Sequence, residues 1–514
     1  MPGLSPPSRL CLALVLLTLG SCSNGEASPA RPDVVLVVVD TLRNDRLGCY
    51  GYDRPTSPKL DALVAEGVVC EDVTAQWPWT LPSMVSIFQG QYLTEYRDSL
   101  HPDAVTLPEA FQGAGYKTIG VVGNCLVDEK RGFARGFDQL AVVDCWLGDD
   151  KETLGEHDIL HLNKLLAEPA SAAFALDSAG QRAPVFVYVH AFDPHDPYLQ
   201  HAGLDAALPV DHARAVEPEG YWMEQIRARG SWDEAPPMRL KNWKASFQRM
   251  PKMRGRYDQE IRYFDEGFAQ LTQDLRAAGL SQDTVFALVS DHGEGLWDHV
   301  SNESPETLRE SPPHSFFYKP HGGNGYQTVS ATPFLLWGAG VPKGVRIKAA
   351  VENVDLFPTL LELADIAPPA GLHGRSLVCQ WQGPSQAWRT HVFSGGSHTM
   401  AVRDVRSQMK LILPMGKSIQ NRREVELFDL NADPGERKNL AEERSEVLGD
   451  LVDAHRRWSE QYPTETTLRI SDSDFKSTQD KALIEKLRAL GYTESDTGIA
   501  IPEAASSDDG SKEQ

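Results

Sequence analysis

Cysteine is scarce in this 514-residue chain: there are seven, and no two stand in a CxxC pair or at zinc-finger spacing. That excludes a dense disulfide framework or a cysteine-held metal as the organising device of the fold. Basic residues are also short, 50 Lys and Arg against 72 Asp and Glu, for a formal charge of −22. A chain of that sign is a poor partner for nucleic acid or for an anionic membrane surface. Membrane-spanning apolar runs are missing too. The run at the N-terminus, Leu10 to Leu19, follows Arg9 and closes at Leu19-Gly20-Ser21-Cys22. It is too short to stay in a bilayer and has the form of a secretory leader.

A Cys placed directly after small residues resembles a bacterial lipobox, in which Cys22 is lipidated and becomes the mature N-terminus. Residues 1–21 are thus expected to be a lipoprotein-type signal peptide. The expected location is the periplasm or outer membrane, with membrane contact only through a lipid anchor at Cys22. Removal of the leader and lipidation leave Cys49, Cys70, Cys125, Cys145 and Cys379, an odd number with room for one bridge whose pairing the spacing does not give.

What the chain does have is a series of short β-branched runs that each stop at polar residues. Val34 to Val39 ends at Asp40-Thr41-Leu42-Arg43, Ile119–Val122 at Gly123-Asn124, Val185 to Val189 at His190, and Thr284 to Val289 at Ser290-Asp291-His292; Phe334 to Trp337 is a further strand. Valine at nearly every position reads as a strand buried on both faces of a parallel sheet. Between the strands, Ser57 as cap, Pro58 and Gly67 as stop bound a short helix, and Pro82 starts a second one that ends at Gly90. Thr80 is then set just ahead of a helix N-terminus, where free N–H groups favour an anion or a developing alkoxide.

A helix is expected over Tyr257–Ala278. Residues 199–255 look like an insertion without a clean period, rich in Arg and Trp (Trp222, Trp232, Trp243), where aromatic residues are more often packing than ligand contacts. The Ser-, Pro- and Glu-rich stretch 300–320, between His299 and His321, suits a surface loop and is a candidate lid. Strands alternating through residues 390–430 suggest a small antiparallel sheet under a helix at Ala441–Tyr462. One more helix near Lys481–Leu490 precedes an acidic, Ser-rich tail expected to be disordered from about residue 496. The fold class is α/β: a large mixed, mostly parallel sheet flanked by helices over residues 32–375, a small C-terminal α+β subdomain over 376–465, and a tail over 466–514.

If the strands are parallel, Asp40, Asn124, His190 to His195, and Asp291-His292 gather along one rim of one sheet, where open α/β folds place their ligands. A single Asp after a strand is usually a helix cap, Asn beside Gly is usually a turn residue, and His195 alone reads as a satisfied histidine in a Pro-rich turn. Four such endings joined by Thr80 make a site more probable than four caps. Two carboxylates and an imidazole form a mixed O/N donor set that suits zinc or manganese better than calcium. A divalent ion beside Thr80 would lower the hydroxyl's pKa and offset charge on an attacked oxyanion.

The motifs Asp40-Thr41-Leu42-Arg43 with Gly48-Cys49-Tyr50-Gly51, Thr80-Leu81-Pro82-Ser83, Gly115-Tyr116-Lys117-Thr118, Asp193-Pro194-His195-Asp196-Pro197-Tyr198, Ser290-Asp291-His292-Gly293-Glu294, His321-Gly322 and the closing stretch from Glu426 to Leu440 occur in one order. Over roughly residues 32–465 the chain resembles the sulfatase family within the alkaline phosphatase superfamily. The resemblance implies Asp40, Asp291 and His292 as ligands of one divalent metal ion, with Thr80 as nucleophile and fourth ligand. It places Asn124 and His321 on the non-bridging oxygens of the substrate anion and His195 on the leaving-group oxygen. A second ion would need another Asp and two His; Asp193, His190, His299 and His321 are available, but their spacing does not resemble that pattern.

Two departures matter. Sulfatases of this pattern have Cys or Ser where Thr80 stands, for conversion to formylglycine, and Arg where Met84 stands. Thr cannot become the aldehyde, and a Thr nucleophile resembles instead the phosphodiesterase and phosphoethanolamine transferase branches. The expectation is a metal-dependent hydrolase of a phosphate or sulfate ester, phosphoester favoured, acting through a covalent Thr80 adduct on an anionic small-molecule, glycan or lipid-headgroup ester. The alternatives are a sulfuric ester hydrolase acting on a sulfated glycan or aryl sulfate, and a catalytically weak surface-displayed binding lipoprotein.

Overall fold

The computed structural model describes residues 31–94, 97–143, 157–210, 237–299, 321–382, 388–396, 399–414, 425–462, 470–471 and 493–494. The leader with Arg9 and Cys22, the partner candidate Cys145, Trp222 and Trp232, the stretch 300–320, the helix near Lys481–Leu490 and the tail from residue 496 all lie outside the described residues. From Pro32 onward the chain forms one compact unit. No helix among the described residues is long and apolar enough to cross a membrane.

Eight strands make the main sheet: β1 (Asp33–Val39), β2 (Gly67–Thr74), β3 (Lys117–Val122), β4 (Gln139–Val142), β5 (Val185–Ala191), β6 (Thr284–Ser290), β7 (Phe334–Gly338) and β8 (Val345–Glu352), in the spatial order β4-β3-β5-β1-β6-β7-β2-β8. Every pairing is parallel except those of β7, which runs antiparallel to both β6 and β2. Among the described residues the longer helices are α1 (Pro58–Val64), α2 (Thr80–Gln89), α3 (Leu107–Gly113), α4 (Ile159–Ala173), α5 (Pro237–Ala278), α6 (Leu356–Leu363) and α7 (Ser445–Gln461). Shorter helical turns complete the connections.

The valine run of β1 explains the layering. Val34, Leu36 and Val38 pack into the apolar layer that holds α2, α3 and α6, while Val35, Val37 and Val39 pack into the layer with α1, α4 and α5. All are fully buried, because a strand covered by helices on both sides has no solvent face. The aromatic centre of the first layer is Phe88 on α2, set edge-on to Phe133 and Tyr188 at 5.3 Å in each case. Side chains of that size each contribute roughly 1.5–3 kcal/mol on burial, so α2 is firmly seated.

Several local expectations change. Gly67 opens β2, a strand the sequence reading did not anticipate, and a Cβ there would lie 2.2 Å from the Leu336 carbonyl oxygen of β7. The glycine serves a close strand approach; α1 has already ended at Val64, with Ala65 as its C-cap. Ser57 stands at the N-cap of α1, as expected, but its side chain makes no capping bond to the helix N–H groups. Its hydroxyl accepts from the Gly48 N–H and donates to Asp61, while Asp265 of α5 reaches across to accept from the Lys59 and Leu60 N–H groups at 3.1 and 2.7 Å. α5 begins at Pro237, twenty residues before the expected Tyr257, so the mixed insertion ends inside a 42-residue helix that tolerates Pro251. α2 begins at Thr80 itself, with Trp79 as its N-cap.

The smaller sheet holds β9 (His391–Gly395), β10 (Thr399–Asp404), β11 (Met409–Pro414) and β12 (Glu426–Asp429) in the order β12-β11-β10-β9, all antiparallel. α7 covers it with Leu448, Leu451, Val452 and Trp458. Arg389 joins the two sheets: its guanidinium meets Glu352 and Asp355 at 2.6 Å each, and Glu352 also accepts from the Phe393 N–H of β9 at 3.1 Å. Cys125, in the loop after β3, is disulfide-bonded, whereas Cys49, Cys70 and Cys379 are free.

Candidate active site

Strand register assembles the site. Val39 pairs with Ser290 of β6 and with Ala191 of β5, so Asp40 and Asp291 stand side by side, one residue past their strands. Val122 and Val38 flank His190 on the two neighbouring strands, which brings Asn124 to the same rim. The backbone at Thr41 is left-handed, φ 56°, an uncommon conformation for a β-branched residue. This sharp turn after Asp40 directs the Thr41 N–H to Asp291 Oδ1 at 3.2 Å, and the His292 N–H reaches the same oxygen at 2.8 Å.

Thr80 enters from the opposite layer at the first residue of α2. Its hydroxyl lies 3.3 Å from His292 Nε2, and two residues before the middle of the same helix Ser83 donates to the Asp291 carbonyl at 2.6 Å. The helix that carries the hydroxyl is therefore tied to the strand end that carries the Asp–His pair. His292 Nδ1 lies 2.9 Å from the Gly293 carbonyl, so Nδ1 bears the proton and Nε2 presents a lone pair. That nitrogen is 3.4 Å from Asp291 Oδ2 and 3.8 Å from Asp40 Oδ1.

A divalent ion fits these residues. Ligand atoms of Asp40, Asp291 and His292 all lie within 4.8 Å of one another, and Asp40 Oδ1 and Asp291 Oδ2 are buried without a hydrogen-bond partner. Buried carboxylate oxygens without partners are costly unless something else neutralises them. Burial, reinforced by repulsion from Asp291, pushes the Asp40 carboxyl well above its ordinary range, and burial raises Asp291 as well. Burial also lowers the His292 imidazole to about 3, which keeps it neutral and able to ligate. Among the described residues no other such cluster of three occurs.

Asn124 donates from Nδ2 to Asp40 Oδ2 at 2.6 Å, and its own Oδ1 accepts from the Leu126 N–H at 3.0 Å. It is thus both the expected turn residue and a member of the site. His321 and His195 form the outer side, with ring centroids 5.0 Å apart and His321 4.8 Å from His292. Burial would lower His321, but Glu294, 3.1 Å from its Nδ1, outweighs that and raises it above its ordinary value. Burial and the neighbouring His321 lower His195 to about 3, and its Nδ1 donates to the Asp196 carbonyl at 2.6 Å. Of the pair, Glu294 biases His321 toward its protonated form, while burial biases His195 away from it.

Other candidates separate from the rim. Asp193 accepts from the Ile159 N–H at the start of α4, and His299 bonds the Gly435 carbonyl while stacking on Tyr326 at 3.7 Å. Both have structural partners away from the cluster. Met84 is fully buried in the apolar layer beneath α2, which explains how a methionine is accommodated where an arginine was expected. Three contributors were not singled out from the sequence: Ser83, the turn at Thr41 and the His321 partner Glu294. Each lies inside a motif quoted from the sequence, Thr41 beside Asp40, Ser83 with Thr80 and Glu294 with Asp291 and His292, but none was given a role.

Residues 32–366 match the family described as Sulfatase, and residues 314–455 match a second family, N-sulphoglucosamine sulphohydrolase, C-terminal. Arylsulfatase K of Gallus gallus is 24% identical over 87% of this chain and 86% of its own. The Delta 4,5-hexuronate-2-O-sulfatase of Bacteroides thetaiotaomicron is 22% identical over 89% of this chain and 93% of its own. Among solved structures, the phosphonate monoester hydrolase of Agrobacterium radiobacter superposes with a TM-score of 0.62 at 18% identity, covering 84% of this chain and 96% of that one.

Proposed function

This chain belongs to the sulfatase family of metal-dependent ester hydrolases, and from that premise we propose that it cleaves a phosphate or sulfate ester with the Thr80 hydroxyl as nucleophile. The observation that carries the proposal is the position of Thr80 Oγ1, 3.3 Å from His292 Nε2 at the edge of the Asp40, Asp291 and His292 cluster. Those three residues and Thr80 hold the ion. When bound, a divalent ion acts there as a Lewis acid, lowering the hydroxyl's pKa and offsetting charge on the attacked oxygens.

The chain's own residues supply the rest. Thr80 Oγ1 forms a bond to phosphorus or sulfur in line with the departing alcohol, whose bond breaks. Asn124 and His321 face the non-bridging oxygens. The imidazolium of His321, kept protonated by Glu294, is the group able to give a proton to the departing oxygen. Neutral His195 accepts a hydrogen bond at Nε2 and orients the leaving group or the water that later attacks the Thr80 adduct. Phosphorus is favoured because a Thr adduct must be released by attack at its centre.

A sulfate ester of an anionic glycan is the second reading, supported by the relatives that are sulfatases. An exported, lipid-anchored location belongs to the same proposal, supported by the leader ahead of Cys22 and by the disulfide at Cys125. The test is hydrolysis of bis-p-nitrophenyl phosphate, p-nitrophenyl phosphate and p-nitrophenyl sulfate by the mature protein beside Thr80→Ala. Phosphoester turnover that disappears in the variant supports the first reading, Thr80-dependent sulfate release supports the second, and turnover that survives in Thr80→Ala refutes the nucleophile.

A further inference from the structure

His190 is fully buried on β5, on the same rim as Asp40, and its Nε2 has no hydrogen-bond partner. Its other nitrogen, Nδ1, lies 3.2 Å from the hydroxyl of Tyr188, which is also fully buried. Asp40 Oδ2 lies 3.7 Å from Nε2. These contacts fix the tautomer. If Nδ1 carried the proton, the buried Tyr188 hydroxyl would lose its acceptor and a bare Nε2 lone pair would face a carboxylate. If Tyr188 donates to Nδ1, Nε2 carries the proton and turns it toward the carboxylate, and the Tyr188 hydroxyl keeps its acceptor.

Asp40 Oδ2 then has two neutral donors beside it, Asn124 Nδ2 at 2.6 Å and His190 Nε2, while Oδ1 has none. The division is chemically directional: one oxygen is held by the protein and the other is left for an ion. We propose that His190 is a positioning residue that, with Tyr188 behind it, orients Asp40 so that Oδ1 is presented to the metal ion. The inference rests on the metal-site reading above. At 3.7 Å the contact exceeds a hydrogen bond, so a movement of about half an ångström completes it.

The test is zinc affinity, measured by competition with a chromophoric chelator on the mature chain, for the wild type, His190→Gln, His190→Leu and Tyr188→Phe. Groups that orient a metal ligand typically change affinity about 10–100-fold when lost. His190→Leu is expected to weaken binding in that range. His190→Gln, which keeps an N–H donor, is expected to stay near wild type, and Tyr188→Phe to fall between. A Leu variant with wild-type affinity, or a Gln variant as weak as Leu, overturns the inference while leaving the metal site intact. A wild type that binds no ion overturns both. If His190→Leu fails to fold, as its thermal melt would show, the contrast between His190→Gln and Tyr188→Phe decides.

Discussion

Stripping the ion from the Asp40, Asp291 and His292 cluster and returning it is expected to move the thermal midpoint in a way the geometry sets. Without an ion, two fully buried carboxylates have ligand atoms within 4.8 Å of each other. Were both ionised they would repel by about 3 kcal/mol at an effective dielectric of about 20; burial raises both carboxyls, and for Asp40 this repulsion adds to it. A divalent ion at 100 times its dissociation constant adds about 2.7 kcal/mol to the folded state. With an unfolding entropy of about 2.1 cal/mol/K per residue over the roughly 360 described residues, that is a rise of about 4 °C. Asp291→Asn sharpens the test, because Asn Oδ1 still accepts from the Thr41 and His292 N–H groups while the repulsion disappears. The metal-free variant should melt at or above the metal-free wild type, yet show no rise with metal. The assay is a fluorescence melt after EDTA and dialysis, with zinc, manganese or calcium added back. A wild type indifferent to every ion, or a variant that keeps the full rise, refutes the reasoning.

Two further predictions concern charge pairs. Glu294 raises the His321 pKa, so the imidazolium is present below that value and is lost as pH rises through it; kcat/KM should therefore fall on the alkaline side, and Glu294→Gln should move that limb to lower pH. A pH–rate profile checks this, and a limb that stays in place rejects His321 as the titrating group. Arg389→Met leaves Glu352 and Asp355 buried without their cation and is expected to cost about 3–5 kcal/mol, a fall in the melting midpoint of about 5 °C. Adding Asp355→Asn should recover part of the loss, and a single variant that melts like the wild type would show that the pair does not hold the two sheets together.

The parts of the fold written in strong local patterns were readable in advance. β1, β5 and β6 are valine-rich runs buried on both faces, and their polar endings gave Asp40, Asp291 and His292 before any tertiary information. β2 was hidden because Gly67 looks like a helix stop and its strand role depends on the close passage of β7. Ser57 was read correctly as the N-cap residue of α1, but the group that satisfies the helix start was hidden for a related reason: Asp265 is 205 residues away from the Leu60 N–H it binds, and no local rule reaches that far. α5 extended through a stretch of weak period and an internal proline, where tertiary packing overrides propensity. Within the site, residue identities were legible but protonation was not. His195 and His321 look alike in sequence, and only the position of Glu294 decides which one is charged.

The Ser83 hydroxyl bonded to the Asp291 carbonyl makes the start of α2 and the end of β6 one mechanical piece. The spacing between the Thr80 hydroxyl and the Asp–His pair is consequently a property of the folded core, not something a bound molecule must create on arrival. Around that fixed piece stand the turn from Phe192 to Tyr198 and the outer histidines, His195 and His321, with ring centroids 5.0 Å apart. Such a division lets a lineage exchange one ester for another by rewriting the rim, while the reacting geometry is inherited whole.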